Sequence, residues 1–415
     1  MKRTILIKTW MILSLGLLIC TQIRGDESDW LEIPTYDLCD PGSSGYIWPD
    51  RFWTETEYVA WHIKPYQKSI PLVVTAPGTS EKSLLGKDAS TVIDSGNRAS
   101  QMRSGVRCIL GYWFDDAQSY AAEATFLFLV VNPEEKHAAS DGSPGSPFLA
   151  FPFFDATRQK ESSKAIAQPG VFSGTANFRV SNYMQGVEFN GVGRFFDVNS
   201  FVPRFTACGE ADLELLVGLR YWNFREKLTF LTTNAGLQSP FFTSGTKDEF
   251  IASNQFYGAQ IGAKACYTWN KFFFDIKLRV AAGAMRKKIR IDGQLITDEF
   301  NLLGVLTAFP YGYLTGPTNS GRIVRTTMAF IPEVNANLGY DLFSWLRLQV
   351  GYSFLFTSKI WRAGDQLSRQ LNPEQSPALS GQLVTQAAGA AQRGRSMKST
   401  TFWAYGLNVG IACKF

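Results

Sequence analysis

Histidine is nearly missing from this chain: His62 and His137 are the only two in 415 residues. No His or Cys pair falls at metal-ligand spacing, so the sequence points to no metal centre and no cofactor. The glycine-containing stretch GVGRFF (191–196) lies inside an alternating segment with no helix after it, which argues against a phosphate-cradling loop. Net charge of one sign is lacking too. The formal charge is +5, but Lys2, Arg3, Lys8 and Arg24 stand in the first 25 residues with no acid among them. Setting these aside, 41 basic residues fall to 37 against 36 acidic, a net of +1. A nucleic-acid partner would need a retained basic face, and none is expected. Beyond the N-terminal leader no apolar run reaches 18 residues, which leaves no transmembrane helix.

The leader has the layout of a secretory signal peptide: MKRTILIKTW is basic, MILSLGLLIC is apolar and TQIRGD is a polar exit. Cleavage is expected after Gly25. The string LLIC is similar to a lipoprotein cleavage site, but Ile19 is not the small residue such a site wants. The expected organisation is a signal peptide at 1–25, an N-terminal periplasmic segment at 26–51 and one large β domain at 52–415. An exported chain of this kind is either soluble outside the inner membrane or a barrel.

What is abundant is alternation. In STTFWAYGLNVGIACKF, steps of two back from Phe415 give Cys413, Ile411, Val409, Leu407, Tyr405 and Trp403, while the other set is small or polar. Successive strand side chains point to opposite faces, so one face is apolar along the whole segment. DLELLVGLRYW, KFFFDIKLRVAAG, RIVRTTMAFIPEVNANLGY and WLRLQVGYSFLF repeat the pattern. These runs exceed the five or six residues usual in a soluble sandwich. They match the ~9 to 11 residues of a tilted transmembrane strand, often with Tyr or Trp where the apolar band ends.

About 12 strands (range 10–14) are expected, at 52–63, 105–114, 120–131, 173–181, 185–197, 211–222, 227–233, 254–268, 271–283, 323–340, 345–357 and 401–415. From the second onward, short connections such as DDAQS, NFRE, WN and DLFS alternate with long ones at 132–172, 234–253, 284–322 and 358–400. Short periplasmic turns, long external loops and an even strand count describe a single antiparallel transmembrane β-barrel. A β-sandwich with long loops is the competing architecture. In the barrel the chain ends on the short-turn side, where the outer-membrane assembly machinery is expected to read Phe415, and the apolar face meets outer-membrane lipid.

Charges are costly against lipid, so the polar set is assigned inward. Arg107, Glu123, Arg179, Glu188, Arg194, Asp212, Glu214, Arg220, Asp275, Lys277, Arg279, Arg325, Glu333, Arg347 and Lys414 are the expected lumen side chains. Their mixed signs fit either a water-filled pore or an interior packed with salt bridges; narrow barrels fill with side chains and wide ones leave a channel. The apolar PGSPFLAFPFF stretch (144–154) is expected to fold inward and constrict the lumen.

SNYMQGVEFNGVGRFF, DLELLVGLRYWNFREKLTF, SNQFYGAQIGAKACY, IPEVNANLGY, LQVGYSFLFTSKIWRAGDQLSRQLNP and TTFWAYGLNVGIACKF, in this order, resemble the motif blocks of the BBP family of bacterial outer-membrane β-barrel proteins of planctomycetes and chlamydia-like bacteria. EYVAWHIKPYQKSIPLVVTAPG and RSGVRCILGYWFDD resemble its first blocks, so the likeness covers nearly all of the chain after the leader. One departure is Phe151 in LAFPFF, where a basic residue is expected. The resemblance implies an outer-membrane barrel and carries over no catalytic or ligand residues.

The resulting expectation is a porin-like passage for small polar solutes, with a slight anion preference from an excess of basic lumen residues. The rival is a structural or surface-display barrel with a plugged lumen whose external loops bind partners. An enzyme comes third, resting on His62 beside Glu57 or a neighbouring strand's Ser; a histidine at the membrane interface next to Trp61 is the plainer reading. NPEEKHAASDGSPG, which contains His137, reads as a solvated acidic loop with a weak calcium-binding composition. Five cysteines follow the leader: Cys39, Cys108, Cys208, Cys266 and Cys413. Cys108 and Cys413 fall on the lipid-facing set. Cys39 and Cys208 lie outside the strands and form the candidate disulfide; an odd thiol would otherwise link chains together.

Overall fold

The computed structural model describes residues 51–66, 69–76, 84–85, 88–96, 102–129, 133–197, 210–238, 241–298, 305–317, 319–380 and 397–415. The expected leader and all but the last residue of the 26–51 segment lie outside the described residues, as do Cys39 and Cys208. The strands, in chain order, are β1 (Phe52–Ile63), β2 (Pro71–Ala76), β3 (Ser90–Asp94), β4 (Met102–Trp113), β5 (Tyr120–Leu129), β6 (Glu134–Ser140), β7 (Phe148–Asp155), β8 (Lys160–Ala167) and β9 (Phe172–Asp197). They continue with β10 (Glu210–Gly236), β11 (Thr243–Trp269), β12 (Phe272–Thr297), β13 (Thr307–Phe309), β14 (Gly321–Phe343), β15 (Leu346–Trp361), β16 (Gln370–Leu371) and β17 (Ser399–Lys414).

Ten strands close an antiparallel barrel in the order β1, β4, β5, β9, β10, β11, β12, β14, β15, β17 and back to β1. β6 and β13 add to the upper edges of β9 and β12. The seam between first and last strands extends to the final residue: Phe415 N–H donates to Phe52 O at 2.8 Å and Phe52 N–H to Phe415 O at 3.1 Å. Closure leaves no open sheet edge at this wall. The tight turn after β11 is only Asn270–Lys271, with Asn270 at φ 51°, a left-handed conformation that Asn tolerates.

Ten strands replace the expected twelve because two pairs are fused. Segments 173–181 and 185–197 are one strand, β9, and 211–222 and 227–233 are one strand, β10. NFRE is therefore not a turn. Glu226, its last residue, points inward and is fully buried, accepting Arg362 Nη2 at 2.8 Å and the Ala363 N–H at 2.7 Å. A polar residue resembles a turn signal only until a partner 136 positions away buries it. The count stays even, so Phe415 still ends on the short-turn side. The loop expected at 234–253 is likewise mostly strand, β12 runs on to Thr297 within the one expected at 284–322, and NPEEKH enters β6.

β9 to β12 run for 26 or 27 residues, far beyond what a bilayer requires. On β11 the outward set is apolar from Tyr257 to Tyr267; ten steps of ~3.3 Å tilted by ~40° give a belt about 25 Å tall. Above Tyr257 the polarity of the two faces inverts. Outward positions become Lys247, Glu249, Ser253 and Gln255, while Phe250, Ala252 and Phe256 are buried inside. Lipid requires apolar side chains outside; water above the membrane requires them inside. The inversion corrects one assignment: Arg179 was placed in the lumen, but it is exposed on the outer face of β9, in the region where water rather than lipid surrounds the wall.

A second sheet, in the order β16, β7, β2, β3 with β8 on β7, fills the upper barrel. Its buried residues Leu72, Val73, Phe151 and Ile166 share one core with inward side chains of the tall wall, Phe178, Phe230, Phe250 and Ile291 among them. The inward folding expected of the PGSPFLAFPFF stretch takes this form. Phe151 is fully buried, with its ring 5.3 Å from Tyr313, 6.0 Å from Phe230 and 6.2 Å from Phe153. At this position, where the resemblance called for a basic residue, the core is held by ring packing.

Candidate functional site in the barrel interior

Walking up the inward set of β1 gives Glu57, Val59, Trp61 and Ile63; on β10 it gives Arg220, Trp222 and Phe224. On β12 it gives Arg279, Ala281 and, after Gly283, Met285. Each strand thus changes from charged to apolar within the belt, and closure stacks these changes into layers.

The lower layer alternates acids and guanidiniums. Arg107 contacts Glu57 at 2.5 Å and Glu333 at 3.8 Å. Arg279 bridges Glu188 at 2.5 Å and Glu333 at 2.7 Å, and Arg220 joins Glu333 to Glu188, the latter at 3.5 Å. Three acids and three guanidiniums form one neutral, buried network contributed by β1, β4, β9, β10, β12 and β14. Beside it Lys277 Nζ donates to both Glu123 oxygens at 2.7 and 2.8 Å. Ser353 Oγ accepts from Asn335 and Asn408, each at 2.6 Å, and Trp61 Nε1 donates to Asn408 Oδ1 at 2.9 Å, tying the charged layer to the next.

That next layer is apolar: Trp61, Leu129, Met184, Trp222, Phe224, Phe256, Met285, Ile331, Leu355 and Phe402 form a single buried cluster. The Phe224 and Phe402 rings are 4.8 Å apart. Above lies the buried Arg362–Glu226 pair, with Arg362 also donating to Lys64 O at 2.7 Å, and then the filled upper core. The interior is therefore packed by side chains over successive levels, as narrow barrels are.

Most of the expected lumen residues meet here. Arg107, Glu188, Arg220, Arg279 and Glu333 build the network, and Lys277 flanks it. Asp275 accepts from Asn337 at 3.1 and 3.2 Å. Nearer the short-turn end, Arg194 meets Glu214 at 3.4 Å, Arg347 pairs with Asp341 at 2.5 Å while lying 3.7 Å over the Phe273 ring, and Asp212 stands on the inward set of β10. Arg325 keeps the inward phase but sits exposed near the upper end of β14. The sequence reading missed Glu57 as a lumen residue, although it shares the alternating phase of Val59 and Trp61. Nothing local marked Arg362, which lies in a loop.

His62 and Glu57 do not meet. One residue number of opposite parity places His62 on the outer face, 5.3 Å from the Tyr405 ring and 5.9 Å from that of Trp403, while Glu57 is inside with Arg107. Cys108 is free on the outward set, and Cys266 is free as well. Cys413 is not the simple lipid-facing residue expected: it is disulfide-bonded and buried, packed with Leu346, Ile411, Trp345 and Phe415. Among the described residues no three His, Cys, Asp or Glu side chains converge as a metal site.

No functionally curated protein matches the sequence. Solved structures similar to the chain include the P. putida toluene transporter TodX, at 9% identity over 88% of this chain and 91% of that one, with a TM-score of 0.21. A Pseudomonas aeruginosa FadL homologue matches at 8% identity over 88% and 90%, TM-score 0.21. OmpT, an outer membrane protein of Vibrio cholerae, matches at 9% over 87% and 98%, TM-score 0.14. Scores this low carry no inference about what this chain handles. The family model described as "Putative beta barrel porin-7 (BBP7)" matches residues 53–415, spanning the whole barrel from β1 to the terminal phenylalanine, and the chain belongs to this family of porin-like outer-membrane β-barrels.

Proposed function

We propose that this barrel is closed in its resting state and acts as a structural or surface-display element, its tall upper wall and loops presented to partners outside the cell. The observation that carries the reading is the stack of an ion-pair network, an apolar layer and a filled upper core across one lumen. A resident pore needs a continuous aqueous path, and here the guanidiniums that would attract anions are already matched by carboxylates. His62, on the outer face among aromatic rings, supports a non-enzymatic role.

The second reading is a porin-like passage for small polar solutes with a slight anion preference. Family membership favours it, as do the basic groups Arg194, Lys264 and Arg347 near the short-turn end. In this reading the cap and the apolar layer must move before solute passes. Planar-bilayer conductance of the refolded protein separates the two. A folded, silent barrel is the expected result; discrete steps with an anion-shifted reversal potential would replace the closed reading by the pore. Under the closed reading, removal of residues 145–156 leaves conductance silent, because the layers beneath still seal the lumen.

A further inference from the structure

Just above the apolar belt, one side of the tall wall carries an unbalanced group of cations. Arg225 on β10, Arg286, Lys288 and Arg290 on β12, and Arg322 on β14 all project outward. Register places them together: Arg225 lies opposite Ser253, Ser253 opposite Lys288, and Arg290 opposite Arg322. With strands ~4.8 Å apart and ~3.3 Å per residue, the five cover a patch roughly 14 by 13 Å.

Acids are scarce there. Asp292 holds Arg290 at 2.5 Å, and Glu249 is already occupied by Lys227 at 2.7 Å and Lys247 at 3.5 Å. Arg225, Arg286, Lys288 and Arg322 have no ion-pair partner among the described residues. The crowding pushes the Lys288 ammonium below its ordinary value, chiefly through Arg322, with desolvation and Arg225, Arg290 and Arg286 adding to it. Evenly mixed surface charges would relax such repulsion, so a patch left this way is suited to an anion.

Its height on the wall points to which anion. Arg286 lies opposite Gln255, two residues above the Tyr257–Ala284 pair at the top of the belt, and the Tyr221 and Tyr257 rings are 5.1 Å apart at that level. Beneath it Met328 and Phe330 are 67% and 56% exposed, as lipid-facing residues are. At its upper edge Arg290 and Asp292 border a cavity of about 440 Å³, also lined by Lys247, Glu249, Gln294 and Phe309.

We propose that this patch is a binding site for the phosphorylated headgroup of an outer-leaflet glycolipid, whose acyl chains lie on the belt below while its phosphates contact Arg225, Arg286, Lys288 and Arg322. The site rests on the outer-membrane placement of the barrel and is independent of whether the lumen is open. It orients the protein by fixing one side of the wall to lipid, and it leaves the other walls free.

The test uses refolded full-length protein in neutral detergent, with diphosphoryl lipid A, its dephosphorylated form and inorganic pyrophosphate as probes. A basic side chain near a charged membrane surface is worth roughly fivefold in affinity, so Arg286→Gln/Lys288→Gln/Arg322→Gln is expected to weaken diphosphoryl lipid A binding about 100-fold. Binding of the dephosphorylated lipid stays the same for both proteins. A control removing exposed cations elsewhere, Arg158→Gln/Arg179→Gln/Lys398→Gln, should retain full binding; an equal loss in this control would overturn the site. Pyrophosphate competing as well as the lipid would reassign it to free phosphate and overturn the lipid. Lys288→Gln alone, expected to cost about fivefold, serves if the triple variant does not refold.

Discussion

Replacing Glu333 by Gln tests whether the barrel interior is dry. Its carboxylate is 3% exposed and faces three guanidiniums: Arg279 at 2.7 Å, Arg107 at 3.8 Å, and Arg220. At an effective dielectric of about 20, a pair at those separations attracts by roughly 4 to 6 kcal/mol before desolvation is subtracted. Glu333→Gln leaves three guanidiniums against two carboxylates, an uncompensated buried cation, and removing one partner of such a network costs about 3 to 5 kcal/mol. Were the layer open to water, the same change would cost about 0.2 to 1 kcal/mol. Urea unfolding in lipid vesicles, followed by tryptophan fluorescence with band shift on cold gels as a second probe, measures the difference. Glu333→Gln/Arg220→Met restores neutrality and should recover most of the loss, since replacing both members of a buried pair with apolar groups is often near neutral. A loss below about 1 kcal/mol with no recovery in the double variant would mean that water fills the lumen, and the closed reading would fall with it.

Phe151→Ala removes a fully buried ring from the upper core and should cost about 3 to 5 kcal/mol of local stability, seen as faster proteolysis between residues 143 and 171; unchanged cleavage would show that the cap is not held there. Asp248 lies on β11 above the belt, where its carboxylate accepts the Tyr313 and Leu314 N–H groups at 3.0 Å and the Thr315 hydroxyl at 2.6 Å. Burial outweighs these donors and pushes its carboxyl up to about 6, so its contribution to stability is fully present below the ordinary value near 3.8 and is lost as pH rises through 6. Hydrogen exchange at Tyr313 and Leu314 should therefore report a larger opening free energy at pH 5 than at pH 7.5, and Asp248→Asn should flatten that difference; a slope that survives the substitution belongs to another group. Deleting Phe415 removes two seam hydrogen bonds, worth about 1 to 3 kcal/mol together, yet should leave refolding in detergent intact while membrane insertion in cells falls severalfold. Normal insertion in cells would remove the terminal aromatic from the assembly signal.

The sequence by itself determined the barrel, its direction and the inward charges at belt level. Trp403 to Ile411 on β17 and Phe272 to Val280 on β12 alternate because lipid tolerates only apolar side chains, so Arg220, Lys277, Arg279 and Glu333 had to turn inward. Above the belt the same alternation changes meaning. Water there puts charge outside, as Arg179 shows, and a period of two does not state which solvent lies beyond the wall. Tertiary structure alone decided that Glu226 continues a strand, because only Arg362, arriving from a distant loop, makes burial of that carboxylate tolerable. It also decided how the inward charges pair. Arg107, Glu57, Arg279, Glu188, Arg220 and Glu333 come from six strands, and only closure of the barrel brings three charges of each sign within reach of one another.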